Sequence, residues 1–156
     1  EGASYDDMIA FRGKVESFAN DLTQTSMMLK EAMDKVKAMQ RALNRSDREN
    51  NELVAMLHDT KMGLMKMDMK MNGNSIKSEV GEKTPPTPRS RMFMGYRGLT
   101  TTYGPTAMQK EMVDIGIKEL AAMKGELTQM IEETMPKLEA EMEEVGAPMI
   151  EGIGSN

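Results

Sequence analysis

From Met8 onward the apolar residues recur in three-four alternation: Met8, Phe11, Val15, Phe18, Leu22, then Leu29, Ala32, Val36, Met39 and Leu43, with Thr25 as the single polar interruption. That spacing puts them all on one stripe of a helix. Ser4-Tyr5-Asp6-Asp7 supplies an S-x-x-D variant of the capping box, and no Pro breaks the pattern. A helix over 5–44 is predicted. At roughly 60 Å for about 40 residues, it needs partners along its length.

Asn44-Arg45-Ser46 closes this stripe, and Ser46-Asp47-Arg48-Glu49 reads as a capping box for a second helix over 47–71. Its stripe is Leu53, Leu57, Thr60, Leu64, Met67 and Met71, stopped by Asn72-Gly73-Asn74. So short a connection makes the first two helices antiparallel neighbours. Thr106-x-x-Gln109 caps a third helix over 107–145, with the stripe Val113, Ile117, Leu120, Met123, Leu127, Ile131, Met135, Leu138, Met142 and Val145. Pro136 inside it predicts a kink or a fresh start capped by Thr134, and Gly146-Ala147-Pro148 ends it, leaving 146–156 as a tail.

Between the second and third helices lies a Pro/Gly-rich crossover, 72–106. Thr84-Pro85-Pro86-Thr87-Pro88 reads as extended polyproline-type chain. Residues 73–83 have little apolar content beyond Ile76 and Val80 and are expected to be mobile. Residues 91–104 instead carry Met92, Phe93, Met94, Tyr96, Leu99 and Tyr103. They are expected to lie against the helices with Phe93 and Leu99 buried, adding at most a short helical turn. The interaction or packing candidates are Arg91, Phe93, Tyr96, Arg97, Leu99 and Tyr103. Gly95, Gly98 and Gly104 fit no phosphate loop and read as turn formers. The fold expected is all-α, an antiparallel, coiled-coil-like bundle of three long helices in a single domain, 1–156.

Composition narrows the chemistry. The chain has 20 Met, a single His, no Cys and no Trp. The usual acid–base and nucleophilic constellations draw on His or Cys, so an enzyme is the least favoured class. The net charge of −5 argues against nucleic acid. No apolar run approaches the roughly 20 residues of a membrane span. The chain opens Glu1-Gly2-Ala3-Ser4 without Met, as expected of a processed chain or a piece of a longer protein.

Three clusters invite sharper readings. His58 and Met62 share a helix face with Met65 one turn on, and imidazole with thioethers suits Cu(I). Because Met is abundant throughout, a pliable replacement for Leu in the core is the preferred reading and no cofactor is expected. Glu132, Glu133, Glu139, Glu141, Glu143 and Glu144 give the third helix an acidic end. Glycosidic hydrolysis needs a carboxyl held partly desolvated in a cleft, so a solvated face is preferred. Lys83, Arg89, Arg91 and Arg97 have no acidic neighbour between Glu82 and Glu111. Pairing with helix carboxylates is preferred for them over an anion site.

The stretch from Thr87 to Gly152 resembles one bacterial family. The similarity lies in Arg91 through Gln109, with Gly98-Leu99-Thr100-Thr101-Thr102-Tyr103-Gly104-Pro105-Thr106 at its centre. A long helix follows, ending Met135-Pro136-Lys137-Leu138-Glu139-Ala140-Glu141, then Val145-Gly146-Ala147-Pro148. The family is the extracytoplasmic sortilin-like β-propeller proteins with BNR repeats, which often bear glycosyl hydrolase names. The similarity is to their C-terminal helical region. It implies a non-catalytic module, secreted, periplasmic or on the cell surface, packing on its own upstream propeller or a partner subunit. Thr100 and Met149 stand where members often carry Trp, and no catalytic residue is carried over. The alternatives are a Met/His-rich copper-binding helical protein and a helical subunit of an unrelated complex.

Overall fold

The computed structural model describes residues 4–73, 81 and 84–147. Helix accounts for 84% of these residues and there is no strand among them, which makes the chain all-α. The elements are α1 (Tyr5–Arg45), α2 (Asn51–Asn72), α3 (Pro88–Leu99) and α4 (Ala107–Gln129), the last continuing through a π-helical turn (Met130–Thr134) into α5 (Met135–Glu144). With α4, the π turn and α5 taken as one run, four helices are described where three were expected. The fourth is α3, inside the segment read as irregular crossover. Of the stretch 73–83, expected to be mobile, all but Gly73 and Gly81 fall outside the described residues, as does the tail after Ala147.

Local chemistry sets the ends of these helices. Ser4 Oγ accepts from the Asp7 N–H at 3.1 Å to open α1. Ser46 does not open α2 as its S-x-x-E spacing suggested. Its hydroxyl donates to the Leu43 carbonyl at 2.8 Å and so serves the end of α1. The start of α2 falls to Asn50, whose Oδ1 accepts from the Leu53 N–H at 3.0 Å, so the helix begins at Asn51 instead of 47. Thr106 and Gln109 form the expected reciprocal box ahead of α4, at 2.9 and 3.1 Å. At the far end Gly146 sits at φ +77°, with its N–H on Glu143 O and the Ala147 N–H on Met142 O, a Schellman closure that a Cβ would strain.

Packing divides the chain into two units, one combining the chain up to Ser26 with Asp68–Lys124, the other Met27–Met67 with the chain from Gly125. In the first unit Phe11, Val15, Phe18, Leu22 and Thr25 of α1 are buried, with Met71, Met92, Val113 and Leu120. The buried hydroxyl of Thr25 donates to the Asp21 carbonyl at 2.7 Å, which removes the cost of placing a polar group in the stripe. Lys14 pairs with Asp114 at 3.0 Å, Val15 and Val113 both border Gly95, and Phe18 borders Gly116, so α1 and α4 run in the same direction here. Helix α3 runs opposite to α4, with Arg91 beside Gly116, Gly95 beside Val113 and Gly98 beside Gln109.

In the second unit, Leu29, Ala32, Val36, Met39 and Leu43 of α1 are buried, with Leu53, Leu57, Thr60, Leu64 and Met67 of α2. The third contribution is Leu127, Met135, Leu138 and Met142. Thr60 resolves its burial as Thr25 does, donating to the Met56 carbonyl at 2.8 Å. Thr134 does not cap a fresh start at Pro136. It makes no side-chain cap, its backbone stays helical, and the Met135 N–H reaches back five residues to Met130 O. The wider turn relieves the clash between the proline ring and the Glu132 carbonyl that a tight α-turn would impose. It also settles a phase problem. Val113, Leu120 and Leu127 are buried at seven-residue intervals, but the next buried residue in that series, Met135, follows by eight. One π turn absorbs the extra residue.

Candidate functional site

Helix α3 opens on a capping box whose fourth member is Ser where Glu or Gln is usual. Thr87 Oγ1 accepts from the Ser90 N–H at 3.1 Å and Ser90 Oγ accepts from the Thr87 N–H at 2.8 Å. Pro88 stands at the first helical position, where its missing N–H costs nothing. At the other end Thr101 Oγ1 donates to the Gly104 carbonyl at 2.7 Å, and Gly104 takes φ +81°.

The buried side of α3 is Pro88, Met92, Gly95 and Gly98. A Cβ on Gly95 would lie 2.8 Å from Val113 and 2.9 Å from Val15, and one on Gly98 would lie 2.9 Å from Gln109 Oε1. These two glycines are therefore close-packing positions within a helix, and the turn reading holds for Gly104 alone. With the small side turned inward, the aromatic side turns out. Phe93 is 55% exposed, Tyr96 38% and Tyr103 77%, while Leu99 is half-buried. The expectation that Phe93 is buried is overturned. Met92, one position away, takes the core site because it falls on the Gly95–Gly98 face.

The outward side of α3 borders an open groove of about 1140 Å³. Arg91, Phe93, Tyr96 and Arg97, four of the six interaction candidates, line it together with Arg89, Met94, Met112 and the extended Thr84-Pro85-Pro86. Leu99 and Tyr103 do not border it. No carboxylate is among its lining residues that are described.

The three arginines are held differently. Arg91 Nε lies 2.8 Å from Glu119 Oε1, with the two side chains 15% and 37% exposed. Both atoms are shut off from solvent and neither makes a properly directed hydrogen bond, so charge attraction holds the pair. Arg89 Nε donates to Asn72 Oδ1 at 2.8 Å, and Asn72 Nδ2 donates on to Asp68 at 2.7 Å. Arg97 is exposed, and its guanidinium has no partner among the described residues. The expected pairing of crossover cations with helix carboxylates is thus met at Arg91. Lys83 lies outside the described residues.

The copper candidates sit on α2. His58 is exposed, and Met62 and Met65 are 48% and 42% exposed on the same side of the helix. His58 borders a pocket of about 480 Å³ with Gln40, Asn44 and Val54, but Met62 and Met65 do not. Among the described residues no group of three or more His, Cys, Asp or Glu is gathered to hold an ion. Glu132, Glu133, Glu139, Glu143 and Glu144 are all exposed, with Glu141 half-buried. No helix among the described residues is long and apolar enough to cross a membrane.

No family model matches the chain, and neither a curated protein nor a solved structure is significantly similar to it.

Proposed function

We propose that this chain is a non-catalytic structural and interaction module of an extracytoplasmic protein, packing on an upstream β-propeller or a partner subunit through the outward face of α3. The observation that carries the reading is Phe93. One of only three Phe in the chain, it stands 55% exposed beside Tyr96 on a helix whose other face is fixed by close glycine contacts. Aromatic side chains presented on a rigid support next to arginine are the composition of protein-interface centres. The resemblance of 87–152 to the C-terminal region of sortilin-like propeller proteins supports the same reading. In it, the three long helices form an antiparallel bundle that serves as a scaffold for α3. A helical subunit of an unrelated complex would use the same surface.

The test is site-specific photo-cross-linking in the organism that makes the protein. A benzophenone side chain at position 93 is expected to give one discrete adduct, while the same group at position 9, where Ile9 is 52% exposed, gives none. Equal yields at both positions, or none at 93, would sink the reading.

A second reading is copper handling. It is favoured by the placement of His58, Met62 and Met65 on one accessible side of α2. Against it, Met39, Met67, Met71, Met92, Met135 and Met142 are buried, as expected where thioethers fill a core.

A further inference from the structure

We propose that the α3 groove receives an acidic segment of another protein, one that lays an apolar side chain against Phe93 and Tyr96 and sets carboxylates against Arg89 and Arg97. The proposal rests on the interaction reading above and adds the chemistry of the partner.

Charge is the first argument. In a chain of net charge −5, α3 carries three arginines and no acidic residue. Glu119 already meets the charge of Arg91. Among the described residues Arg89 uses only its Nε, on the neutral Asn72 amide, with Asp68 reached through that amide. Arg97 has no partner among the described residues. Two guanidinium groups are therefore left to face the groove, and each matches a carboxylate in the planar, two-pronged way that Lys cannot.

Shape is the second. The lining follows α3 from Arg89 to Thr100. A helix of 12 residues is roughly 18 Å long, and the volume of about 1140 Å³ exceeds the usual ~300–1,000 Å³ of a small-molecule site. An elongated, open groove of this kind fits several consecutive residues of a chain.

A second copy of this chain is the poorer fit. Its acidic run, Glu132, Glu133, Glu139, Glu143 and Glu144, has no apolar anchor in its own helix, since among the described residues C-terminal to position 115 no large apolar side chain is exposed. Nucleic acid is also disfavoured. Its affinity comes from neutralising many phosphates, whereas here two uncompensated cations sit on an acidic chain.

Fluorescence anisotropy with the full chain tests this. The probe is a short fluorescein-labelled peptide of glutamates flanking a tryptophan–leucine core, compared with an analogue carrying glutamine for glutamate. The glutamate peptide is expected to bind, and to bind less tightly as salt is raised. Both R97E and F93A should weaken it by about tenfold or more, the effect of losing one central contact. These residues are exposed, so circular dichroism of each variant should match the parent. Equal affinity for the glutamine analogue overturns the acidic partner. So does failure of the glutamate peptide to bind. If position 93 still cross-links in either case, the interaction reading survives; if it does not, both fall. Displacement of the peptide by oligothymidylate at equal concentration overturns the proposal in favour of nucleic acid.

Discussion

Gly116 in α4 and Phe18 in α1 occupy one space: a Cβ on the glycine would lie 2.7 Å from Phe18 Cζ, and Phe18 is 2% exposed with nowhere to withdraw. Alanine favours helix by about 1 kcal/mol over glycine. Forcing a methyl into a filled core costs about 1–3 kcal/mol. The clash wins, and Gly116→Ala is expected to lower stability in urea denaturation. Gly13→Ala and Gly125→Ala are the controls, because a Cβ at either meets nothing within 4 Å. Both should raise stability by about 0.5–1 kcal/mol.

The neighbours Met92 and Phe93 should behave in opposite ways. Met92 is 7% exposed, and Met92→Ala is expected to cost about 2–5 kcal/mol. Phe93→Ala removes a larger side chain, yet its stability change should stay within about 0.5 kcal/mol, since the ring faces solvent. Thermal melts of the two variants, with the parent alongside, read this directly. A destabilised Phe93→Ala would put the ring in the core after all.

Arg91→Ala strands a shielded Glu119 oxygen. Because Glu119 is 37% exposed, water limits the loss to about 1 kcal/mol. A double-mutant cycle with Glu119→Gln should return a coupling of about 0.5–1 kcal/mol. Zero coupling would mean that the pair is a coincidence of packing.

Cu(I) supplied in excess under reducing conditions is expected to leave the melting temperature where it was. A ligand that binds only the folded chain raises it by mass action. A rise that vanishes in His58→Ala would replace the interaction reading with metal handling.

The long helices were legible because their burial is one-dimensional. Every member of the α1 stripe from Phe11 to Leu43 is buried, Thr25 included, and so is every member of the α2 stripe from Leu53 to Met71. Threonine survives in such a stripe because its hydroxyl can turn back to its own helix, a local property visible in sequence. Helix α3 was not legible for the opposite reason. Its buried face includes Gly95 and Gly98, which contribute no hydrophobic signal, while Phe93 and Tyr96 signalled a core they do not join. Only the spacing Thr87-Pro88-x-Ser90 announced a helix start. The onset of α2 was misplaced because Ser46 and Asn50 are both competent caps, and the choice between them depends on where α1 ends.

The π turn at Met130–Thr134 makes this stretch unusually forgiving of a shortened gene. Elsewhere in a packed helix, losing one residue swings everything downstream by about 100°, carrying buried side chains into water. Here the helix already holds a surplus residue. Removing Glu132 or Glu133, both exposed, would let the turn relax to ordinary α geometry with Met135, Leu138 and Met142 still facing inward, at the cost of bringing the Pro136 ring back against the carbonyl four residues before it. A single-codon deletion at 132 or 133 should therefore yield a folded protein. The same deletion at Ala121 or Ala122 should not.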